Sequence, residues 1–473
     1  MILKPGDPNQ MEFMSRTESV RNEPLVKAVD NIVDGLELSG LYGRYSESGR
    51  SFYDPKMMLK VLFFGYCDRV RSSRDLSRHI SYDIRYRYFC GRLRPDFRTI
   101  NRFRKDNLDL LGDYFAQIVL LIQEQGLIDS SLLSMDGTKL RASANGRRKS
   151  CKIGREKLEG MFRRQLHADI EAEEDDGDTG DDGNSSGTGG DDIADPDARY
   201  MKTSEGGKRL SYNSQVVVDR NQMIIAADVS NNADDSVQFR SMLDQSRRNL
   251  GGDIDKVAAD GGYYSGANLK YAVDENVDLY LPVTKTGRVP NERFHRDEFV
   301  YVRQSDSYRC PSGHSLHYRK TRHRRGVAVR IYRGTSDSCG CCQWHSQCTK
   351  KRIRELYISE HYDYERQMTA KLGTATGRFI YGLRKCLVEP VFGNLKFNLG
   401  FGRYALRGLA NVRGEFLLIC IAHNLKKLAA RWSSRSGNNP VTTTQNALIW
   451  LFQTITWMIY AAFRPKHEAY QTI

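Results

Sequence analysis

Three stretches decide how this chain reads: LLSMDGTKL at residues 132–140, DKVAADGGYYSG at 255–266 and YGLRKCLVEPVFGNLKF at 381–397. In the first two, an apolar run of strand character ends on an aspartate, Asp136 and Asp260; in the third, Glu389 sits inside a basic, helix-like run. Singly, each is ordinary. Asp-Gly closes many turns, and a glutamate before Pro390 serves a helix first turn or pairs with Lys385. Together they form a set of hard oxygen ligands of the kind Mg²⁺ takes. Two such ions about 3.5–4 Å apart activate a nucleophile and stabilise the leaving oxygen in phosphodiester cleavage.

Working outward, Ser131–Met135, Tyr212–Val218, Met223–Val229, Val257–Ala259 and Leu279–Val283 read as strands. Asp235–Arg248 and Gly266–Glu275 read as helices between them, and Arg378–Phe397 and Val412–Trp432 close the region. The order predicts an α/β fold, a mixed sheet flanked by helices. Asp136 should end its strand in mid-sheet, with Gly261 and Gly262 turning the backbone away after Asp260 to leave room for DNA. Two excursions interrupt the sheet, Lys139–Arg209 and a cysteine-bearing one from Thr284 to about Glu360.

Phe52–Leu121 is helical in pattern, opening with Asp54 as N-cap and Pro55 at the first helical position. Its helices carry Arg74, Arg78, Arg85, Arg98, Arg102, Arg104 and Lys105 at polar positions. That is the composition of a helix-turn-helix style DNA-binding module, for which Arg74, Arg78, Arg98 and Arg102 are the candidate contacts; a basic supporting bundle is the plainer alternative. The predicted organisation is an N-terminal arm (1–50), an all-helical domain (51–126) and a catalytic domain (127–432). Within the last lie an acidic loop (169–198) and a cysteine-rich insertion (288–360), and a tail (433–473) follows.

Lys and Arg number 72 against 58 Asp and Glu, a formal charge of +14. Asp169–Ala198 holds thirteen acidic residues and no basic one, so the rest of the chain carries +27. A polyanionic partner fits that body. The acidic, Gly/Ser-rich stretch is too polar to repay its ordering and reads as a disordered linker, with mimicry of DNA as the alternative. No apolar stretch follows a basic N-terminal segment, which predicts a cytoplasmic protein. The apolar run at 447–463 is short for a span and contains Gln453, Thr454 and Thr456, so it is expected to pack or self-associate as a helix, with no membrane partner.

Five of the ten cysteines crowd between Cys310 and Cys348. Cys339 and Cys342 form a CxxC pair, and with Cys310 and Cys348 they offer four thiolates for a structural Zn²⁺. Cys341 is then spare, and His314 or His345 can replace a cysteine. An iron–sulfur cluster is the other metal reading, and reduced thiols without metal the plain one. Cys67, Cys90, Cys386 and Cys420 read as core thiols.

MDGTKLRASAN (135–145), YNSQVVVD (212–219), AADGGYYSG (258–266) and VEPVFGNLKFNLGFGRYALRGL (388–409), with FYDPKMMLKVLFFGYCDRVRSSRDL (52–76), resemble the DDE transposases of bacterial insertion sequences. The resemblance runs from about Phe52 to Leu428 and implies an RNase H-like catalytic core with Asp136, Asp260 and Glu389 as its triad, holding two Mg²⁺ or Mn²⁺ ions. It implies double-stranded DNA as partner, both terminal inverted repeats and target, with a homo-oligomer on paired ends and a nucleoid-associated location. It also adds Tyr381, Arg384 and Lys396 as contacts to the element end, although four residues rather than three separate Arg384 from Glu389. On an ideal helix Lys396 shares the face of Glu389, whereas Arg384 points away unless Pro390 kinks the helix. A DNA-binding regulator or domesticated relative, and a nuclease without strand transfer, are the alternatives.

Overall fold

The computed structural model of the chain describes residues 20–45, 53–144, 195–203, 206–283, 294–324 and 327–435. Nearly all of the acidic stretch and the whole apolar segment at 447–463 lie outside the described residues. The chain divides into two compact units: residues up to Leu110 together with those from Ile421, and Leu111–Cys420.

The first unit is helical: α1 (Pro24–Asp34), α2 (Ser39–Tyr42), α3 (Pro55–Cys67), α4 (Ser73–Tyr82), α5 (Ile84–Cys90) and α6 (Phe97–Asp106). α3 starts where Asp54 accepts the Lys56 and Met57 amides, with Pro55 in its first turn. Asp83 separates two of these helices, ending α4 and capping α5 by accepting the Arg85 amide. Part of the expected N-terminal arm is α1, which buries Val26, Val29, Ile32 and Val33 at helical spacing.

The second unit starts with α7 (Leu111–Glu124), which packs on α8 (Phe239–Leu250) and β4. Its main sheet comprises β1 (Leu133–Arg141), β2 (Arg199–Lys202), β3 (Lys208–Val218), β4 (Ile224–Ser230), β5 (Lys256–Ala259) and β6 (Asp278–Tyr280). The order is β2-β3-β1-β5-β6, with β4 on the same edge of β3 as β2. β1 to β4 pair antiparallel, while β1, β5 and β6 run parallel. This is the RNase H-like mixed sheet. Asp136 does not end its strand, as expected, but is the fourth of nine residues, because β3 pairs with β1 from Ser134 through Arg141. β2, a short and mostly exposed RYMK, lies within the first excursion.

After α9 (Gly266–Asp274) and β6, the cysteine-bearing segment builds its own antiparallel sheet, β7 (Val300–Val302), β8 (Ser307–Arg309), β9 (Ser315–Arg324), β10 (Val327–Arg333) and β11 (Glu355–Ser359). The short helices α10 (Ser336–Gly340) and α11 (His345–Cys348) join β10 to β11. Phe299, Tyr308, Leu316, Tyr332, Leu356 and Ile358 form its core. The chain returns through α12 (Tyr362–Gly373) to α13 (Ala375–Gly393), a π-helical turn at Asn394–Asn398 and α14 (Leu409–Arg435). α13 lies over β1 and β5, where Leu132, Ala258 and Tyr280 meet Ile380, Leu383 and Leu387. No helix among the described residues is long and apolar enough to cross a membrane.

Candidate active site

The parallel pairing of β1 with β5 brings Asp136 and Asp260 together. Leu133, Ser134 and Met135 face Val257, Ala258 and Ala259 in register. The next residue on each strand is the aspartate. Side chains alternate along a strand, so Leu132, Ser134 and Asp136 share the face that α13 covers. Leu132 packs there, and the Ser134 hydroxyl donates to the Arg384 carbonyl at 3.5 Å.

Arg384 is the cation of this site. Its buried face on α13 repeats as Gly377, Arg384, Val388 and Val391, and its side chain is only 6% exposed. Nη1 donates to Asp136 Oδ2 at 2.9 Å, and Nη2 lies 3.3 Å from Asp260 Oδ1. The guanidinium also sits 5.8 Å from the Tyr381 ring centroid. Burial pushes the Asp136 carboxyl up to about 6, against the pull of Arg384 and of the Gly137 amide, which donates to it at 2.8 Å.

Arg384 and Glu389 do point apart, but Arg384 is the one that faces the aspartates, while Glu389 is exposed next to the buried Val388. Lys396, half-buried, lies in the π turn after Gly393, where the 3.6-residue period that linked it to Glu389 no longer holds. Two hard carboxylates side by side, only partly balanced by one arginine, are donors of the kind a divalent ion takes.

Behind the aspartates, on the other face of the sheet, is a polar network that sequence reasoning missed. Asp235 accepts from Lys139 Nζ at 2.8 Å, Asn213 Nδ2 at 2.6 Å and Gln215 Nε2 at 2.8 Å. The fully buried Tyr263 donates its hydroxyl to Gln215 Oε1. A Cβ at Gly137 would lie 2.4 Å from Gln215 Nε2, and one at Gly262 would lie 3.1 Å from Asp235 Oδ2. Gly137 and Gly262 thus make room for this network. The available signal was Asn213 and Gln215, two amides at alternate positions leading into the apolar Val216–Val218 and both fully buried.

The four cysteines also converge. Cys310, Cys339, Cys342 and Cys348 line one cavity of about 30 Å³ with His314 and His345. The Cys310–His314 turn is closed by the His314 amide donating to Cys310 Sγ at 3.3 Å, with Gly313 in the left-handed region. Burial, and then the thiols of Cys310, Cys339 and Cys342, push the Cys348 thiol up against the pull of Arg354. Cys341 is exposed. Among the described residues, no three of these sulfur and ring-nitrogen atoms lie mutually within 4.8 Å. Zinc-bound sulfurs sit about 3.8 Å apart, so the thiols must draw in to hold an ion.

In the helical unit Arg78, Arg98 and Arg102 are exposed and Arg74 is half-buried with its guanidinium 5.3 Å from the Phe97 ring centroid. Arg85 and Arg104 serve the fold instead. Arg85 pairs with Asp68 at 3.0 Å and Asp83 at 2.7 Å, and the buried Arg104 donates to the Arg71 carbonyl at 2.9 Å. Asp68, His79 and Asp83 are the one trio of ligand atoms within 4.8 Å among the described residues. Arg85 already bridges both of its carboxylates.

Two family models match the chain. One, described as "Transposase DDE domain", matches residues 309–429, and the other, "Transposase domain (DUF772)", matches residues 14–106. The first contains Arg384, Glu389 and the cysteine segment; neither reaches Asp136 or Asp260, which rest on the geometry above. No curated protein matches. Among solved structures, one of a piggyBac transposase synaptic complex with hairpin DNA is 11% identical, covering 96% of this chain and 84% of that one. Its TM-score is 0.32.

Proposed function

We propose that the chain is a DDE transposase of the insertion-sequence type, a DNA-cleaving enzyme that binds the terminal inverted repeats of its own element, cuts there and joins the freed 3′-hydroxyl to target DNA. The observation that carries this reading is the meeting of Asp136 and Asp260, 124 residues apart in sequence, at adjacent positions of two parallel strands under a single buried cation. Asp136, Asp260 and Glu389 are the proposed ligands of two Mg²⁺ or Mn²⁺ ions. Such ions, when bound, activate the attacking oxygen and stabilise the leaving one.

The protein's own part is positioning. β1 and β5 fix the two aspartates, the Asp235 network holds the backbone behind them, and α13 sets Arg384 and Tyr381 over them, with Glu389 exposed further along the same helix. Tyr381, Arg384 and Lys396 are proposed contacts to the element end, and Arg74, Arg78, Arg98 and Arg102 to the flanking duplex. Cys310, Cys339, Cys342 and Cys348 are the proposed ligands of a structural Zn²⁺. The working form is a homo-oligomer on paired ends, associated with the nucleoid.

The test is incubation of purified protein with labelled element ends, a target plasmid and Mg²⁺. Joined products are expected; hydrolysed ends alone mean a nuclease, and a mobility shift without cleavage means a regulator. Asp136→Ala, Asp260→Ala and Glu389→Ala should each abolish cleavage and leave end binding. Undiminished cleavage by any one removes that residue from the site.

A further inference from the structure

We propose that the outer edge of β9, from Tyr318 to His323, is a docking strip for the phosphate backbone of duplex DNA, a surface role that rests on the transposase reading above. β9 pairs with β10 along its length, from His317 to Arg324, but β8 covers its other side only from Ser315 to His317. Beyond His317 that edge has no strand partner among the described residues. Tyr318, Arg319, Lys320, Thr321, Arg322 and His323 are all exposed, so consecutive side chains reach solvent from both faces of the sheet.

The charge on this edge is one-sided. Residues 317–333 hold six arginines, one lysine and no acidic residue. Where the sheet needs neutralisation it supplies a carboxylate. Arg330 is held by Asp306 at 2.6 Å and lies over the Tyr318 and Tyr332 rings, and Arg333 lies 3.7 Å from Glu355. Arg319, Lys320 and Arg322 form no ion pair among the described residues. One or two charges are enough to keep a free edge from pairing with another chain. An uninterrupted basic run repels itself and is relieved by a polyanion. The edge is narrow and two-sided, with an exposed tyrosine beside the cations, a shape suited to lying along a duplex groove.

The test compares the full chain with the Arg319→Gln/Lys320→Gln/Arg322→Gln variant on a labelled duplex of random sequence across a salt series. Each phosphate contact contributes about 0.9 to the slope of log affinity against log salt, so losing three flattens it by about 2.7. A fourfold rise in salt then weakens the variant roughly 40-fold less than the native chain. An unchanged slope in a variant that keeps its native circular dichroism overturns the proposal. If the variant does not fold, hydrogen exchange of the native chain decides. DNA should slow the Arg319–Arg322 amides, and unaltered exchange there overturns the proposal. Failure of the native chain to bind any duplex sinks the transposase reading itself, a different result from either.

Discussion

Replacing Arg384 by methionine keeps most of the stem that packs under α13 and removes the charge that Asp136 and Asp260 share. The guanidinium is 6% exposed, its partners 21% and 48%. Removing one partner of a buried ion pair costs about 3–5 kcal/mol, because the other charge is left uncompensated. Asp260 is half in water and Asp136 can take up a proton, so the low end applies, about 3 kcal/mol. For a unit of this size each kcal/mol moves the melting temperature by about 2 °C, so the variant should melt about 6 °C lower without metal. Mn²⁺ should then recover more stability in the variant than in the native chain, since there the ion need not displace an arginine. At a hundredfold excess over its dissociation constant a ligand adds about 2.7 kcal/mol, enough to return most of the loss. Differential scanning calorimetry with and without Mn²⁺ reads both effects. Equal melting temperatures for the two metal-free proteins, or equal Mn²⁺ increments, would refute the view that Arg384 stands where the metal charge belongs.

Asp136→Asn should abolish cleavage, and its stability relative to the native chain should depend on pH. The native carboxyl is pushed up to about 6 from an ordinary 3.8, so ionising it in the folded state costs about 3 kcal/mol. The folded chain then binds the extra proton between those values, and its stability falls as pH rises through that window. The stability difference between the asparagine variant and the native chain should therefore move in the variant's favour as pH rises from about 4 to about 6.5 and be constant outside that window; a difference independent of pH contradicts this. Gly137→Ala drives a methyl to 2.4 Å from Gln215 Nε2 and should cost about 1–3 kcal/mol by overpacking, read as a lower denaturant midpoint. Protein purified without chelator should contain one zinc per chain by elemental analysis. Cys310→Ser should lose it and Cys341→Ser should keep it; equal zinc in both variants would place the ion elsewhere.

How much of this was legible in the sequence depends on how locally each feature is encoded. The mixed sheet was readable because short apolar runs of strand character alternate with helical runs along the chain. The Asp54 cap and Pro55 start of α3 were readable for the same reason, each a property of a few adjacent residues. β2 was not, because RYMK has three of four residues exposed and is held only by its ladder to β3. Nor was the length of β1. Its apolar run stops at Met135, and the polar half that follows is strand only because β3 pairs with it through Arg141.

The site divides along the same line. That Asp136 and Asp260 belong together follows from one rule, since residues after equivalent positions of adjacent parallel strands are neighbours, whatever lies between them in sequence. Which residue on α13 would face them could not be settled by counting from Glu389. The buried face is fixed by where Val388, Val391 and Leu395 find apolar partners, and a face set by packing carries Arg384 inward with it. A buried arginine is tolerated only beside compensating charge, and two carboxylates converging at one strand end provide it. The cation and the aspartates thus explain each other: without Arg384 the pair is unbalanced in the absence of metal, and without the pair Arg384 has no reason to be buried.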